Sequence, residues 1–421
     1  MMAGINFEGG ILTFIGTDAH DYAEIGVFEA NNSFHVTATL AGDISVIDNE
    51  LVVAEFYAAE APIETISRIV FNAGAGDDSL IVDVDFPLTV LFAIEGTVLE
   101  FNGEAGNDTL VNSDPLGGIE TVANGGPDND RLEGSRYNDI FDGGLGNDIM
   151  TGSGGNDTYK FDGRNLGTDE IREDANVDTD TLDFSNFESF VSVDLEEVYN
   201  SSNPDFAVKA FMSNLKVKLS DATGIEDVIG SPSTDTIRGN SRPNHFWGGG
   251  EDDKLEGRGG DDVLEGETGS DLYEFGGTNL GTDDIIEAAN SDNDLLRFGG
   301  MTTGLTIDIS KSGSEFAVNS ANLRLRLSNN TAIERVFGTH YGDSITGNSR
   351  NNVLKGLGGA DAIQGLGGAD TLEGGADNDV LYTDALDVAY GGLGRDFFDG
   401  FTEDPARPNP RRTRYIDWGT V

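Results

Sequence analysis

Residues Gly230 to Glu274 read GSPSTDTIR, GNSRPNHFW, GGGEDDKLE, GRGGDDVLE, GETGSDLYE, five nonapeptides without a gap. Glycine opens each copy. Asp235, Asp253, Asp262 and Asp271 stand at the sixth place, and Ile237, Phe246, Leu255, Leu264 and Tyr273 at the eighth. A period this short marks each unit as one structural rung, unable to bury its apolar side except in a stack. Stacking brings a carboxylate to the same point of every rung.

Two more blocks share the period. Gly125 to Lys160 reads GGPDNDRLE, GSRYNDIFD, GGLGNDIMT, GSGGNDTYK, and Gly338 to Tyr382 reads GTHYGDSIT, GNSRNNVLK, GLGGADAIQ, GLGGADTLE, GGADNDVLY. Another rung, GGLGRDFFD, starts at Gly391 after an eight-residue irregularity. Isolated copies start at Ala73 (AGAGDDSLI) and Gly103 (GEAGNDTLV). A longer repeat encloses the short one. Asp157, Tyr159 and Phe161 end block one, and Asp271, Tyr273 and Phe275 end block two, 114 residues later. NLGTDEI or NLGTDDI follows, then LKVKL or LRLRL.

Those spacers alternate apolar and basic residues at period two, the mark of half-buried strands. The best helix candidate is short, around Asp169 to Ala175. The first 118 residues are strand-rich (ILTFIG, FHVTATL, ELVVAEFY, TISRIVFN, LTVLFAI) and read as longer coils stacked on a regular roll. The expected segments are 1–118 (strand-rich), 119–162 (block one), 163–224 (spacer), 225–276 (block two), 277–332 (spacer), 333–400 (block three) and an Arg/Pro-rich tail, 401–421.

The 421 residues include 76 Asp and Glu against 25 Lys and Arg, a formal charge of −51. Like charge at that density opposes compaction unless cations screen it. It argues against nucleic acid, whose binders present basic surfaces. Hydrophobic content of 37% still suffices for a core. The absence of cysteine excludes disulfides and thiolate metal sites. No apolar run has the length of a membrane span. The start, MMAGINFEGGILTF, lacks the features of a signal peptide, so export is expected to use another signal, or the natural start is missing.

Glycines at the first, second and fourth places are expected to take positive φ and turn carbonyl oxygens inward. The aspartate two places on adds a charged oxygen, and the last three residues form a short strand. Carboxylates stacked a strand spacing apart, about 4.8 Å, repel one another, and a cation between turns resolves the conflict. Calcium above all takes about six to eight oxygen ligands of this mixed kind.

These nonapeptides resemble the repeat-in-toxin, or hemolysin-type, calcium-binding repeat G-G-x-G-x-D-x-U-x. The resemblance implies an all-β fold, with two nonapeptides per coil of a right-handed parallel β-roll and strand-rich spacers between blocks. Each ion would sit between one turn and the next but one. The implied ligands are Asp130, Asp139, Asp148 and Asp157 in block one. Block two supplies Asp235, Asp253, Asp262 and Asp271, and block three Asp343, Asp361, Asp370 and Asp379. Carbonyls near Gly144, Gly146, Gly249, Gly259, Gly260, Gly358, Gly359, Gly367 and Gly368 would complete the shells. Roughly eight ions follow from that geometry. Asn244 and Asn352 at the sixth place depart from the pattern and should weaken their rungs, and Asp78 and Asp108 stand isolated. At free calcium ten times Kd, each site would add about 1.4 kcal/mol, so folding is expected to depend on calcium.

The eighth-place residues are expected in the core. Tyr159, Phe161, Tyr273 and Phe275 are expected to cap the ends of rolls, and Trp247 to pack. His20, His35, His245 and His340 lack the spacing of a zinc site. Arg407, Arg411, Arg412 and Arg414 read as a solvated tail, unlike the basic-poor end of the family's exported members. The resulting expectation is a non-enzymatic, structural or adhesive calcium protein. It would be secreted or at a bacterial cell surface, with a cell-surface or matrix polysaccharide as candidate partner. One rival is a non-catalytic repeat region or fragment of a larger secreted enzyme or toxin whose effector domain is absent; the other is a secreted polysaccharide-modifying or proteolytic enzyme. Its active site would lie in the first 118 residues, where Asp77, Asp83 and Asp85 are the candidate paired carboxylates.

Overall fold

The computed structural model describes residues 67–82, 97–112, 119–173, 177–197, 206–210, 214–318 and 323–400, with the strand backbone of Gly4–Glu8, Ile11–Ile15, Tyr22–Ala30, Ser33–Ala41, Glu55–Phe56, Arg395–Thr402 and Arg411–Trp418. Every helix or strand among the described residues is a β-strand. The chain divides into two compact units, one of Met1–Ser189 with Leu195–Asp227, the other of Phe190–Asp194 with Val228–Val421.

In the first unit two nonapeptides make one coil. Ile119–Pro127 runs parallel to Ile140–Leu145 with Val122 opposite Ile140, and Arg131–Glu133 parallel to Ile149–Thr151 with Arg131 opposite Ile149. Both registers advance 18 residues, so alternate nonapeptides share a sheet. The N-terminal segment joins the same sheets. Arg68–Asn72, Thr97–Asn102 and Ile119–Pro127 are successive parallel neighbours, as are Ser79–Val82, Thr109–Asn112 and Arg131–Glu133. The spacer continues both stacks. Thr158–Lys160 pairs with Thr181–Asp183, and Ile149–Thr151 with Thr168–Arg172, which pairs in turn with Leu215–Leu219.

The second unit follows the same plan. Ser192–Asp194, Thr236–Arg238, Lys254–Glu256, Leu272–Gly276, Asp294–Gly300, Ile333–Phe337, Val353–Gly358, Thr371–Ala376 and Val388–Leu393 are successive parallel neighbours. Block two, its spacer and block three therefore form one uninterrupted ladder. His245–Gly250, Val263–Thr268, Thr282–Ile286 and Arg324–Leu327 form a second. A third runs through Thr306–Asp308, Ser344–Thr346, Ala362–Gln364, Val380–Thr383 and Arg395–Thr402.

The eighth-place residues form the core. Leu132, Phe141, Met150, Ile237, Phe246, Leu255, Leu264, Leu354, Ile363, Leu372 and Leu381 are all buried, each contributing about 1.5–3 kcal/mol of apolar burial. Parallel in-register stacking places like on like. Phe71 lies over Phe101 with ring centroids 5.6 Å apart, and Phe141 over Tyr159 at 5.5 Å.

Two expectations are corrected. Tyr159, Phe161, Tyr273 and Phe275 do not cap a roll. Tyr159 and Tyr273 stand opposite Leu182 and Leu296 of the spacers, Phe161 stacks on Phe184 at 4.9 Å, and Phe275 on Phe298 at 5.1 Å. The helix expected from Asp169 is the strand Thr168–Arg172. Asp169 and Ile171 both point inward there, at period two, and the run satisfies its backbone in the ladder. Arg411, Arg412 and Arg414 belong to the strand Arg411–Trp418, antiparallel to Arg395–Thr402, which takes up the hydrogen-bonding edge of the last coil. LTVLFAI, Asp83, Asp85 and Arg407 lie outside the described residues.

Candidate metal centres

All twelve expected aspartates are buried, each at most 4% exposed. One oxygen of each carboxylate is used in the stack. Oδ1 of Asp148, Asp157, Asp253, Asp271, Asp361 and Asp379 accepts the N–H of the sixth-place aspartate one coil earlier, at 2.7–2.9 Å. The isolated copies join this series. Asp78 donates its N–H to Asp108, and Asp108 to Asp130, both at 2.7 Å.

The second oxygen divides the rungs into two kinds, and the backbone at the second place decides which. Ser135, Ser231 and Thr339 lack positive φ, and their N–H groups donate at 2.6 Å to Oδ2 of Asp139, Asp235 and Asp343. Asn240 and Asn348 do the same for Oδ1 of Asn244 and Asn352, at 3.0 and 2.8 Å. These rungs are internally satisfied. Elsewhere the second place has positive φ: Glu104, Gly126, Gly144, Ser153, Gly249, Arg258, Glu267, Leu357, Leu366, Gly375 and Gly392. The sixth-place partners are Asp108, Asp130, Asp148, Asp157, Asp253, Asp262, Asp271, Asp361, Asp370, Asp379 and Asp396. Each of them has a buried Oδ2 with no hydrogen-bond partner among the described residues. A buried carboxylate oxygen without a donor is costly, and the same turn leaves this cost in rung after rung.

First-place glycines keep room beside those oxygens. They were expected to take positive φ, yet Gly125, Gly248, Gly356 and Gly374 do not. A Cβ on Gly125 would instead collide with Asp130 Oδ2 and lie 2.7 Å from the Gly143 carbonyl oxygen of the next coil. On Gly374 it would meet Asp379 Oδ2 and, at 2.7 Å, the Gly391 carbonyl oxygen. Carboxylate and carbonyl oxygens thus converge where only glycine leaves space, a donor set without nitrogen or sulfur that fits calcium. Of the other expected glycines, Gly144 and Gly249 at the second place and Gly146, Gly260, Gly359 and Gly368 at the fourth take positive φ. All six lie hard against the neighbouring coil's backbone. Gly259, Gly358 and Gly367, at the third place, have no positive φ.

The spacers supply further carboxylates. Asp169 and Asp283 accept the N–H of Asp148 and Asp262, and Asp180 and Asp294 those of Asp157 and Asp271. Glu226 and Glu334 then accept the N–H of Asp180 and Asp294 at 3.1 Å. The eight-residue irregularity is also a rung, whose Asp387 Oδ1 accepts the N–H of Asp370 at 3.0 Å. Their sequence signal is the triplet D-x-U: Asp169-Glu170-Ile171 keeps one turn glycine, Gly167 at φ 105, and Asp180-Thr181-Leu182 has none just ahead of it.

Burial raises these acids far above the ordinary aspartate value of 3.8. Asp157 is pushed up to about 9, by burial first and then by the charges of Asp139, Glu173 and Asp180. Burial and the neighbours Asp235 and Asp271 take Asp253 to about 8, and burial with Asp262 takes Asp283 to about 8. A cation or a proton must therefore accompany them in the fold.

Block three's neutral rung has its own positive charge. Arg350, at its fourth place, pairs with the buried Glu334 at 2.6 Å and donates to the carbonyl oxygens of Thr331 and Asn290. Trp247 is half-buried and stacks on His245, whose Nε2 lies 2.7 Å from Glu265. Asp77 accepts the N–H of Asn107 in an exposed ladder that continues through Asn129 and Asn147.

A comparison with curated proteins finds no match. The family model of the RTX calcium-binding nonapeptide repeat (4 copies) matches residues 124–159, 229–264, 238–273, 337–372 and 346–381. In the same three stretches that the glycine–aspartate period marks out, the chain carries RTX calcium-binding nonapeptide repeats.

Proposed function

We propose that this protein is a non-enzymatic scaffold that folds on calcium, outside the cell or at its surface, where the ion is abundant. One observation carries the reading. Positive φ at the second place coincides, rung by rung, with a buried, unpartnered Oδ2 at the sixth. Bound calcium supplies positive charge to such oxygens and links successive coils. Asp130, Asp148, Asp253, Asp262, Asp361, Asp370, Asp379 and Asp396 would hold it with backbone carbonyls, and Asp157 and Asp271 would hold it where the first two blocks end. Asp139, Asp235 and Asp343 are already satisfied and would serve the fold alone. The structural rather than catalytic role rests on where the carboxylates lie, sealed between coils beyond the reach of a substrate.

Circular dichroism at neutral pH tests the reading. Strand signal that appears on adding calcium and vanishes with chelator supports it. The same spectrum in both conditions refutes it.

A further inference from the structure

We propose that each of the first two blocks ends in a cation site of a second kind, in which side-chain carboxylates replace the backbone carbonyls of the repeat. The two sites are Asp157, Glu173 and Asp180, and Asp271, Glu287 and Asp294. The proposal rests on the calcium reading of the repeats and adds ligands that the repeat does not contain. At these points the nonapeptide gives way to a spacer coil, and residues 174–179 and 288–293, which lead into Asp180 and Asp294, include no glycine. A glutamate from the end of the spacer's first strand enters instead.

Each group offers one carboxylate oxygen per residue, all within 4.8 Å of one another, and all three residues are buried. Oδ2 of Asp157, Asp271 and Asp294, in side chains at most 1% exposed, has no hydrogen-bond partner among the described residues. First-place glycine again leaves the space. A Cβ on Gly152 would collide with Asp157 Oδ2 and Glu173 Oε1, and one on Gly266 with Asp271 Oδ2, Glu287 Oε1 and the Tyr273 hydroxyl.

The glutamates are held in place. The N–H of Glu173 donates to Ser220 Oγ at 3.0 Å, and that hydroxyl donates back to the Glu173 carbonyl at 2.8 Å. Glu287 and Ser328 repeat the clamp at 2.9 and 3.0 Å. Tyr273 donates its hydroxyl to Glu287 Oε1 at 2.5 Å and accepts the Gly266 N–H, and Tyr159 donates to Glu173. Aspartates, glutamate and tyrosine recur together 114 residues apart. Three carboxylates give a denser charge than one aspartate with carbonyls, so the sites favour hard cations strongly, calcium among the common ones and trivalent lanthanides more still.

The tyrosines make the sites visible, because a lanthanide beside Glu173 or Glu287 lies within energy-transfer range of an excited tyrosine. The experiment titrates terbium into the full chain and reads tyrosine-excited emission, with calcium stoichiometry measured in parallel by calorimetry. Glu173→Gln with Glu287→Gln should remove most of that emission and lower the ion count by about two. Tyr159→Phe with Tyr273→Phe should remove the emission and keep the ions, and it serves as the test should the glutamine pair fail to fold. Unchanged emission in the tyrosine pair, or an unchanged ion count in a folded glutamine pair, overturns the proposal. Asp361→Asn with Asp370→Asn separates the two readings. If that variant keeps all its calcium, the repeat reading fails; if only the glutamine pair is silent, the triads alone fail.

Discussion

The backbone N–H of Asp253 donates to Oδ1 of Asp271, eighteen residues on, at 2.8 Å. That bond spans one coil, fixes the register of the stack and spends only half of the carboxylate. Whether the other half needs a cation is decided four residues before the aspartate, by the handedness of the second-place backbone.

Neighbouring residues in block three should therefore respond in opposite ways. Gly365→Ala puts a Cβ onto Asp370 Oδ2, and should cost about 1–3 kcal/mol and abolish calcium uptake at that rung. Leu366, exposed and at φ 73, is strained for a side chain. Leu366→Gly should stabilise the calcium-loaded protein by about 1 kcal/mol. Thermal melts in excess calcium read both changes.

Acid should partly replace calcium. Asp157, Asp253 and Asp283 have folded values of about 8 to 9 against 3.8 ordinarily. Between pH 4 and 8 the folded state then binds more protons than the unfolded chain, and stability falls as pH rises through that window. In chelator, circular dichroism should show more strand at pH 5 than at pH 8. Calcium should remove that dependence, because its ligands must be ionised.

A silent rung should be convertible. Thr339 lacks positive φ and donates its N–H and its hydroxyl to Asp343. Thr339→Gly removes the hydroxyl and permits the left-handed turn. Calorimetry should then count about one more calcium ion than in the parent, and an unchanged count would break the link between backbone handedness and binding.

Much of this could be read from the residues. Period nine with an apolar eighth place specified stacked rungs and their core, because in-register stacking demands the same residue at the same point of every rung, and the resemblance to the calcium-binding repeat implied the parallel coil. The spacer acids were hidden because Asp169 and Asp180 follow their partners by 21 and 23 residues, outside the 18-residue step. Asp387 was hidden by a single missing residue, which shortens its step to 17. The helix expected at Asp169 failed for a related reason. Consecutive acids resemble a helix start, but the strand Ile149–Thr151 beside them leaves an open ladder that a strand satisfies and a helix does not. Nor does the letter G separate its two uses. Gly125 is needed for space and Gly126 for its φ of 105.

Two triple variants, titrated with calcium by calorimetry, test the central claim most directly. Asp361→Asn, Asp370→Asn and Asp379→Asn remove unpartnered oxygens, whereas Asp139→Asn, Asp235→Asn and Asp343→Asn change rungs already satisfied. The first triple should lose about three ions and the second none, though the second should melt lower. Equal losses from the two, or no loss from the first, would contradict the account.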